Sequence, residues 1–241
     1  MHRFYVDRIN GDTVAITDAA QFHHLKNVLR LKIGERLAVF DSDGNEYAGA
    51  VTAIERKQAV IKVTAPQPLL SRQVKLTLAC AIPKGDRMDD IIDQLTQLGV
   101  ERVIPMWTER VVVKLDEVKK ASRLKRWRTI VQNAARQSQR NSLPVIEPVT
   151  SLAEVIAKSG DFDLKLIPHL SGERKLIKDV LIAAKLTNIL VLVGPEGDFT
   201  PEEVGQALDA GFIPVSLGNT VLRVATAAVA VASYLKFSLG E

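Results

Sequence analysis

The residues best suited to chemistry lie near the C-terminal end of this 241-residue chain, in two glycine-containing loops. The first loop is Gly194–Asp198, and the second runs from Leu217 to Arg223. Glycine permits tight turns and lets a ligand approach the backbone closely. Glu196, Asp198 and Arg223 are the charged side chains of these loops. A single glycine pair more often serves only a turn, but two such loops together favour a binding site for a small polar ligand.

Each loop follows a predicted strand and precedes a predicted helix. Residues 189–193 form a run of β-branched and leucine side chains, which is typical of a buried parallel strand. Thr200 and Glu203 form a capping box, so a helix begins after the first loop. Residues 213–217 predict a second strand, and residues 224–237 an alanine-rich helix. Because ligands bind at the carboxyl ends of strands in open α/β sheets, we expect neighbouring strands and one shared pocket.

The first 68 residues predict a separate, small β domain. Their short strands surround one helix, which is predicted from Asp18 to about Leu31 with Gln21 completing its capping box. Ser42–Asn45 is a strong hairpin turn, and Ala65–Pro68 has the composition of a linker. The pattern indicates a mostly antiparallel β-barrel.

Residues 73–241 alternate between strand and helix patterns. The predicted strands are 74–80, 103–107 and 164–168, and the predicted helices follow Gly85 and span 116–139 and 173–185. This alternation favours a mainly parallel sheet covered by helices on both faces. The expected fold class is therefore α/β, with a second, smaller β domain at the amino terminus.

Composition excludes several classes of protein. The chain is 46% hydrophobic and 25% charged, as in ordinary globular proteins, and its single cysteine, Cys80, excludes an internal disulfide framework. No segment has the ~20 uncharged apolar residues that a membrane span requires. No Cys/His cluster is present, so we expect no metal site. These features predict a cytoplasmic protein without a membrane partner.

A basic segment indicates a nucleic acid partner. Residues 119–140 contain eight basic side chains and no acidic one. Most charge runs are solvated helix faces, but surfaces normally mix both signs, so binding to phosphates is favoured here. The predicted RNA-binding residues are Lys125, Arg126 and Arg140 in this segment, with Arg3, His24 and Arg30 in the amino-terminal domain.

Several motifs in order along the chain carry a resemblance to a known family. They are Arg3-Phe4-Tyr5-Val6, His24 with Val28-Leu29-Arg30, Leu98-Gly99-Val100, Glu109-Arg110 with Val112-Val113-Lys114-Leu115, Gln137-Ser138 with Arg140 and Pro144, Gly194-Pro195-Glu196-Gly197, and Leu217-Gly218 with Leu222-Arg223. The chain resembles the RsmE family, the ribosomal small-subunit RNA methyltransferases that methylate N3 of a uridine in 16S rRNA.

The resemblance implies a fold, a cofactor and partners. It implies a PUA-like amino-terminal barrel over residues 1–68 and a SPOUT domain over residues 73–241, whose last strands and helix form a deep trefoil knot. It also implies S-adenosylmethionine as cofactor, 16S rRNA of the small ribosomal subunit as substrate, and a homodimer with the cofactor site near its interface. The residues expected to bind the cofactor are Leu166, Pro168, His169, Val193, Gly194, Glu196, Gly197, Leu217, Gly218, Leu222, Thr226 and Ala227.

Arg223 is the catalytic candidate. Its guanidinium could stabilise negative charge on the uracil oxygens as the N3 proton leaves. The alternatives are a phosphate clamp or an ion pair with Glu196, and no general base is evident in the loops.

The chain departs from the family pattern at a few positions. Ala225 stands where the family usually has a glutamate, Gln94 and Gln97 replace a lysine and a glutamate, and Asp198 replaces a frequent glycine. Two other functions therefore stay open. One is a catalytically weakened relative that acts as an rRNA-binding assembly factor. The other is a different nucleotide-binding α/β enzyme, although neither the dinucleotide-binding nor the P-loop motif is present.

Overall fold

The structure is a computed structural model that describes residues 2–7, 9, 11–41, 46–64, 74–111, 116–138, 140, 142–170, 172–181 and 186–239. The chain divides into two compact units. The first comprises Met1–Ser71 with Ala135–Leu143, and the second Arg72–Ala134 with Pro144–Glu241. The predicted turn Ser42–Asn45, the predicted linker Ala65–Pro68 and the motif Val112–Leu115 lie outside the described residues.

The first unit contains a curled five-stranded sheet. Its elements are β1 (His2–Tyr5), β2 (Thr13–Ile16), α1 (Ala19–His23), β3 (Arg36–Phe40), β4 (Glu46–Ile54) and β5 (Ala59–Val63). The strand order is β1-β3-β4-β5-β2, in which β1 pairs with β3 in parallel and the other pairs are antiparallel. Phe4, Leu25, Leu37 and Ile61 lie fully buried in its core.

The helix of this unit differs from its prediction. Instead of one α-helix to Leu31, α1 is followed by a π-helical segment over His24–Val28. Asp18 caps α1 as predicted, since its side chain accepts a hydrogen bond from the backbone N–H of Gln21. The Gln21 side chain does not accept a hydrogen bond from the Asp18 backbone, as the predicted capping box would require. Its amide is buried and bonds both backbone groups of Tyr5, so it serves as a strand partner for β1.

The second unit is built around a parallel sheet. Its elements are β6 (Lys75–Ala81), α2 (Arg87–Gln97), β7 (Arg102–Trp107), α3 (Glu117–Gln137), β8 (Val145–Ile146), β9 (Thr150–Ser151), α4 (Leu152–Ala157), β10 (Leu164–Pro168), β11 (Lys175–Leu176), α5 (Ile177–Leu181), β12 (Asn188–Val193), α6 (Pro201–Asp209), β13 (Ile213–Ser216) and α7 (Val224–Ser238). The strand order is β11-β13-β10-β12-β6-β7-β8, with β9 also paired to β7, and every described pair is parallel. The predicted α/β class is confirmed.

One predicted helix is partly wrong. The segment predicted as a helix from residue 173 forms the short strand β11 before α5 begins at Ile177. Its last predicted residues, 182–185, lie outside the described part of the chain. No helix within the described ranges has both the length and the hydropathy to cross a bilayer.

The start of β12 is fixed by one carboxylate. Asp163 accepts hydrogen bonds from the Thr187 hydroxyl (2.7 Å), the Thr187 backbone (2.8 Å) and the Asn188 backbone (2.9 Å). These donors stabilise the ionised form and hold the pKa of Asp163 below its ordinary value. The strand that carries the first glycine loop is therefore held at its amino-terminal end as well as by its neighbours.

A second carboxylate connects the sheet to the last helix. Glu101 accepts a hydrogen bond from the Leu76 backbone (2.6 Å) and forms an ion pair with the Lys236 ammonium group (2.8 Å). The Lys236 side chain is only 6% exposed. Removing the carboxylate would therefore leave a buried positive charge without this anionic partner.

We expect Glu101→Ala to lower the free energy of unfolding by about 3 kcal/mol, because a buried charge loses its counter-charge. Glu147→Ala is the matched control, since Glu147 pairs with Arg102 at the surface (3.7 Å) and its loss should cost at most about 1 kcal/mol. Urea unfolding followed by circular dichroism measures both values. Equal losses in the two variants would contradict a structural role for the Glu101–Lys236 pair.

Candidate functional site

Three loops meet at the carboxyl ends of adjacent parallel strands. β10 lies between β12 and β13, so the two glycine loops do not follow directly paired strands, as we expected, but flank the loop after β10. Between them is an open cleft of about 560 Å³, counting its opening to solvent. The predicted meeting of the two glycine loops in one cleft is therefore observed.

The cleft brings together most of the residues predicted to bind a cofactor. Those that line it are Pro168, His169, Val193, Gly194, Glu196, Leu217, Gly218, Leu222 and Ala227. Leu166 is buried within β10, Gly197 is exposed, and Thr226 lies on an exposed face of α7, so these three do not line it. Residues that also line it but were not predicted to do so are Leu170, Arg174, Pro195, Asp198, Thr220, Val221 and Val224.

The first loop is a tight turn whose shape depends on Gly194. The Asp198 N–H donates to the Pro195 carbonyl (3.0 Å) and closes the turn. A Cβ atom at residue 194 would lie 2.9 Å from the ring of Phe199, which is buried. Glycine is therefore required at this position by packing, whatever the cleft binds. The Arg110 guanidinium supports the loop from outside by donating to the Gly197 carbonyl (2.6 Å).

Asp198 connects this loop to the loop after β10. One carboxylate oxygen accepts from the Phe199 backbone (2.9 Å), and the other contacts the Leu170 backbone nitrogen and the His169 ring nitrogen Nδ1, each at 3.1 Å. Asp198 also has a positive φ of 59°, which is uncommon outside glycine. The sequence marked Asp198 as a loop acid, but it could not show partners that lie 28 and 29 residues away.

The second loop is held by its own residues. The Ser216 hydroxyl accepts a hydrogen bond from the Gly218 N–H (3.2 Å) and lies 3.2 Å from the Gly218 carbonyl. Gly218 has a φ of 117°, a conformation that L side chains rarely adopt. The turn brings Leu222 back toward the cleft, where the small side chain of Ala227 lets α7 approach closely.

Arg223, the catalytic candidate, is not among the residues that line the cleft. It is the N-cap residue of α7 and is exposed, between Leu222 and Val224, which both line the cleft. Glu196 forms an exposed ion pair with Arg87 (3.9 Å) rather than with Arg223. The structure therefore does not favour the Arg223–Glu196 ion pair.

Part of the basic helix has acidic partners from outside the basic segment. Lys119 and Lys120 pair with Asp116 and Glu117 at the start of the same helix, and Arg126 pairs with Asp89 of α2 at 2.5 Å. Asp89 also accepts a hydrogen bond from the buried Trp127 indole, so it anchors α3 to α2. Arg126 therefore has a structural partner. Lys125 and Arg128 are exposed, and no ion pair of the described residues involves them.

Of the amino-terminal candidates, His24 and Arg30 are exposed and Arg3 is half-buried. His24 begins the π-helical segment and is exposed, and its ring lies 6.4 Å from that of Phe4. Arg30 is exposed and has a positive φ of 54°, a conformation that persists only where surrounding structure fixes it. Arg3 is half-buried with its guanidinium 6.0 Å from the centre of the Phe40 ring.

Neither a metal cluster nor a reactive thiol is found in the described part of the chain. No group of three or more His, Cys, Asp and Glu side chains there could hold a metal ion. Cys80 is buried in β6, and burial raises its pKa to about 12. Since the thiolate is the reactive form, this thiol is inert at neutral pH.

Comparison with known proteins assigns the family. The sequence profile of an RNA methyltransferase domain matches residues 70–236, and that of an RNA methyltransferase PUA domain matches residues 16–64. The ribosomal RNA small subunit methyltransferase E of Synechocystis is 33% identical over 223 residues, covering 92% of this chain and 72% of that protein. The chain belongs to this methyltransferase E family. The family predicted from the sequence motifs is confirmed.

Two further relatives extend the match over the whole fold. Methyltransferase E of Bacillus subtilis is 28% identical, covering 94% of this chain and 93% of that protein. The crystal structure of methyltransferase E from Neisseria gonorrhoeae bound to S-adenosylmethionine has a TM-score of 0.84 and 31% identity, covering 99% of this chain and 98% of that one. The similarity therefore includes both units and the strands that form the cleft.

Proposed function

We propose that the protein transfers the methyl group of S-adenosylmethionine to N3 of a uridine in the 16S rRNA of the small ribosomal subunit. The observation that carries this proposal is the cleft between three loops at the carboxyl ends of β10, β12 and β13, in a chain of the methyltransferase E family. The Neisseria relative, which shares the fold, was crystallised with S-adenosylmethionine.

The cleft lining fits this cofactor chemically. Val193, Leu217 and Leu222 provide apolar surface for an adenine ring, and the backbone at Gly218 is open to close approach, since no atom lies within 4 Å of the place a Cβ would take. The carboxylates of Glu196 and Asp198 and the guanidinium of Arg174 line the cleft, so it offers charges of both signs to a cofactor that carries sulfonium, ammonium and carboxylate groups. S-adenosylmethionine supplies an activated methyl group when bound.

In this proposal the protein orients the reactants and stabilises charge. Alignment of two reactants can contribute about 7–11 kcal/mol to lowering a barrier. The Arg223 guanidinium, which belongs to the N-cap residue of α7 between the cleft residues Leu222 and Val224, stabilises the negative charge that develops on the uracil oxygens when N3 loses its proton. No residue is assigned as the proton acceptor.

A methyl-transfer assay tests the proposed activity. We expect the wild-type protein to transfer tritiated methyl groups to small subunits from a strain that lacks the modification, and the digested RNA to contain 3-methyluridine. Arg223→Ala should lower kcat by about 10²–10³-fold, the usual effect of losing one charge-stabilising group, with affinity for S-adenosylmethionine nearly unchanged. A heat-inactivated sample is the control. Methylation at another uridine atom would contradict the proposal.

The catalytically weakened relative is the second candidate function. Ala225, where the family usually has a glutamate, favours it, and α7, which carries Ala225, packs against α2, which carries Gln94 and Gln97. Intact binding of RNA and S-adenosylmethionine without methyl transfer would support this function. Calorimetry that detects binding of ATP but not of S-adenosylmethionine would instead support a different nucleotide-binding enzyme.

We also propose that the exposed basic residues of α3 bind rRNA phosphates. Lys125→Glu combined with Arg128→Glu should weaken RNA binding by tenfold or more, and should reduce the slope of log affinity against log salt by about one for each lost phosphate contact. Arg126 is left intact because it pairs with Asp89. Lys178→Glu, on the exposed surface of α5, is the control.

Filter binding at several salt concentrations measures both quantities. Affinity for S-adenosylmethionine should not change in the double variant. A parallel loss of cofactor affinity would mean that the helix acts through the fold and not through the RNA.

The expected homodimer is proposed to form through α7. This helix has an exposed face that carries Thr226, Ala230, Tyr234 and Phe237, at helical spacing, and the Phe237 side chain is 71% exposed. Such an apolar stripe is typical of an interface. Because Leu222 and Ala227 line the cleft beside this face, the interface would lie near the cofactor site.

We expect the wild-type protein to sediment as a dimer and Phe237→Asp to sediment as a monomer at micromolar concentration, because the charge would be buried in the interface. Leu208→Asp is the matched control, since Leu208 is a 44% exposed apolar side chain on α6. A wild-type protein that sediments as a monomer at all concentrations would contradict the dimer.

Three expectations from the sequence remain proposals. They are the domain bounds 1–68 and 73–241, the trefoil knot formed by the last strands and α7, and a cytoplasmic location. The assignment to the cytoplasm is supported by the rRNA substrate of the related proteins and by the single, buried cysteine.

A further inference from the structure

We propose that Asp198 is a positioning residue whose carboxylate holds the loops after β10 and β12 at the spacing at which the cleft binds S-adenosylmethionine. This inference rests on the proposed function. It goes further by assigning a role to an acidic loop residue to which the proposed mechanism gives none.

The contacts of Asp198 connect two separate segments of the chain. Its carboxylate is bonded to the Phe199 backbone, which continues its own loop, and to the Leu170 backbone and His169 ring of the other loop. An ionised carboxylate can only accept hydrogen bonds, so His169 Nδ1 carries the ring proton in this contact. The side chains of His169 and Asp198 are only 12% and 16% exposed. Low exposure to water strengthens such charge-assisted hydrogen bonds.

The backbone of Asp198 supports the same role. Its φ of 59° lies in the left-handed region, where glycine is unstrained and aspartate is disfavoured, although less so than most residues. A non-glycine residue keeps such a conformation where its surroundings over-determine it. The three contacts of the carboxylate provide that constraint. Glycine could not make these contacts, so aspartate contributes to the site and is not merely tolerated at this position.

The position of the contact explains why cofactor binding would depend on it. His169, Leu170 and Asp198 all line the cleft, and the loop after β13 forms the remaining wall. Loss of the carboxylate would let the β10 loop move away from the β12 loop while the strands themselves stay paired. The distance between two walls of the cofactor cleft would then vary. Binding of S-adenosylmethionine would have to restrict this motion, and the cost in conformational entropy would lower the affinity.

Asp198→Gly tests whether the carboxylate positions the loops or is merely tolerated at this site. The variant removes the carboxylate and also relieves the backbone strain, so only a positioning role predicts weaker binding. We expect this variant to raise the Kd and the KM for S-adenosylmethionine about tenfold, with kcat lowered less than threefold and RNA affinity unchanged. Asp198→Asn keeps one acceptor oxygen and tolerates positive φ, so it should recover part of the affinity. Asp209→Gly, at the exposed end of α6, is the control and should stay within twofold of wild type.

Calorimetry with S-adenosylmethionine and the methyl-transfer assay measure these values, and thermal unfolding verifies that each variant is folded. A rise of fivefold or more in the Kd of Asp198→Gly supports the proposal, and a smaller rise overturns it. If Asp198→Gly does not fold, Asp198→Ala, which also removes the carboxylate, is tested against the same threshold. A wild-type protein that binds S-adenosylmethionine but transfers no methyl group would contradict the proposed function alone, while one that does not bind it would overturn both.

Discussion

The pairing of β10 between β12 and β13 is the constraint on which the site depends. Parallel pairing places the carboxyl ends of the three strands at one edge of the sheet, so the loops that follow them must meet. β12 is in turn paired with β6 along its whole length, and Asp163 fixes where it begins. Backbone hydrogen bonds between buried strands therefore determine where the cleft lies. Its shape is set by local features of the loops, such as the packing of Phe199 against Gly194.

Local patterns in the sequence predicted most of this architecture. The buried run that became β12 and the Thr200–Glu203 capping box were correctly predicted, because both depend on residues close together in the chain. The order of the strands could not be predicted in that way. The insertion of β10 between β12 and β13 depends on pairing across segments, and the strand pattern of each is the same whichever neighbour it has. For the same reason the Gln21 side chain was assigned to Asp18, whereas it bonds Tyr5, 16 residues away.

The basic helix shows that the partners of charged side chains, like the order of strands, cannot be predicted from residues close together in the chain. A count along residues 119–140 found no acid, yet the carboxylate that pairs with Arg126 belongs to Asp89 on α2. Asp89 also bonds the Trp127 indole, so α3 is held on the second unit by a polar contact as well as by its apolar face. The basic segment therefore contains side chains with two different roles. One side chain contributes to packing, while Lys125 and Arg128 extend into solvent, where phosphates could reach them.

The departures from the family pattern fall into two physical classes. Asp198 has the left-handed conformation that suits glycine, and its backbone strain is offset by contacts that glycine cannot make. Gln94, Gln97 and Ala225 are neutral at positions where the resemblance implies charged residues. Removal of one charge from a polar network leaves its partner uncompensated, whereas removal of all of them leaves no such partner. The Gln97 amide donates a hydrogen bond to Asp93 one turn earlier on α2. The two classes differ in their consequences: the first adds a constraint on the cleft, and the second removes charge from α2 and α7, which pack against each other.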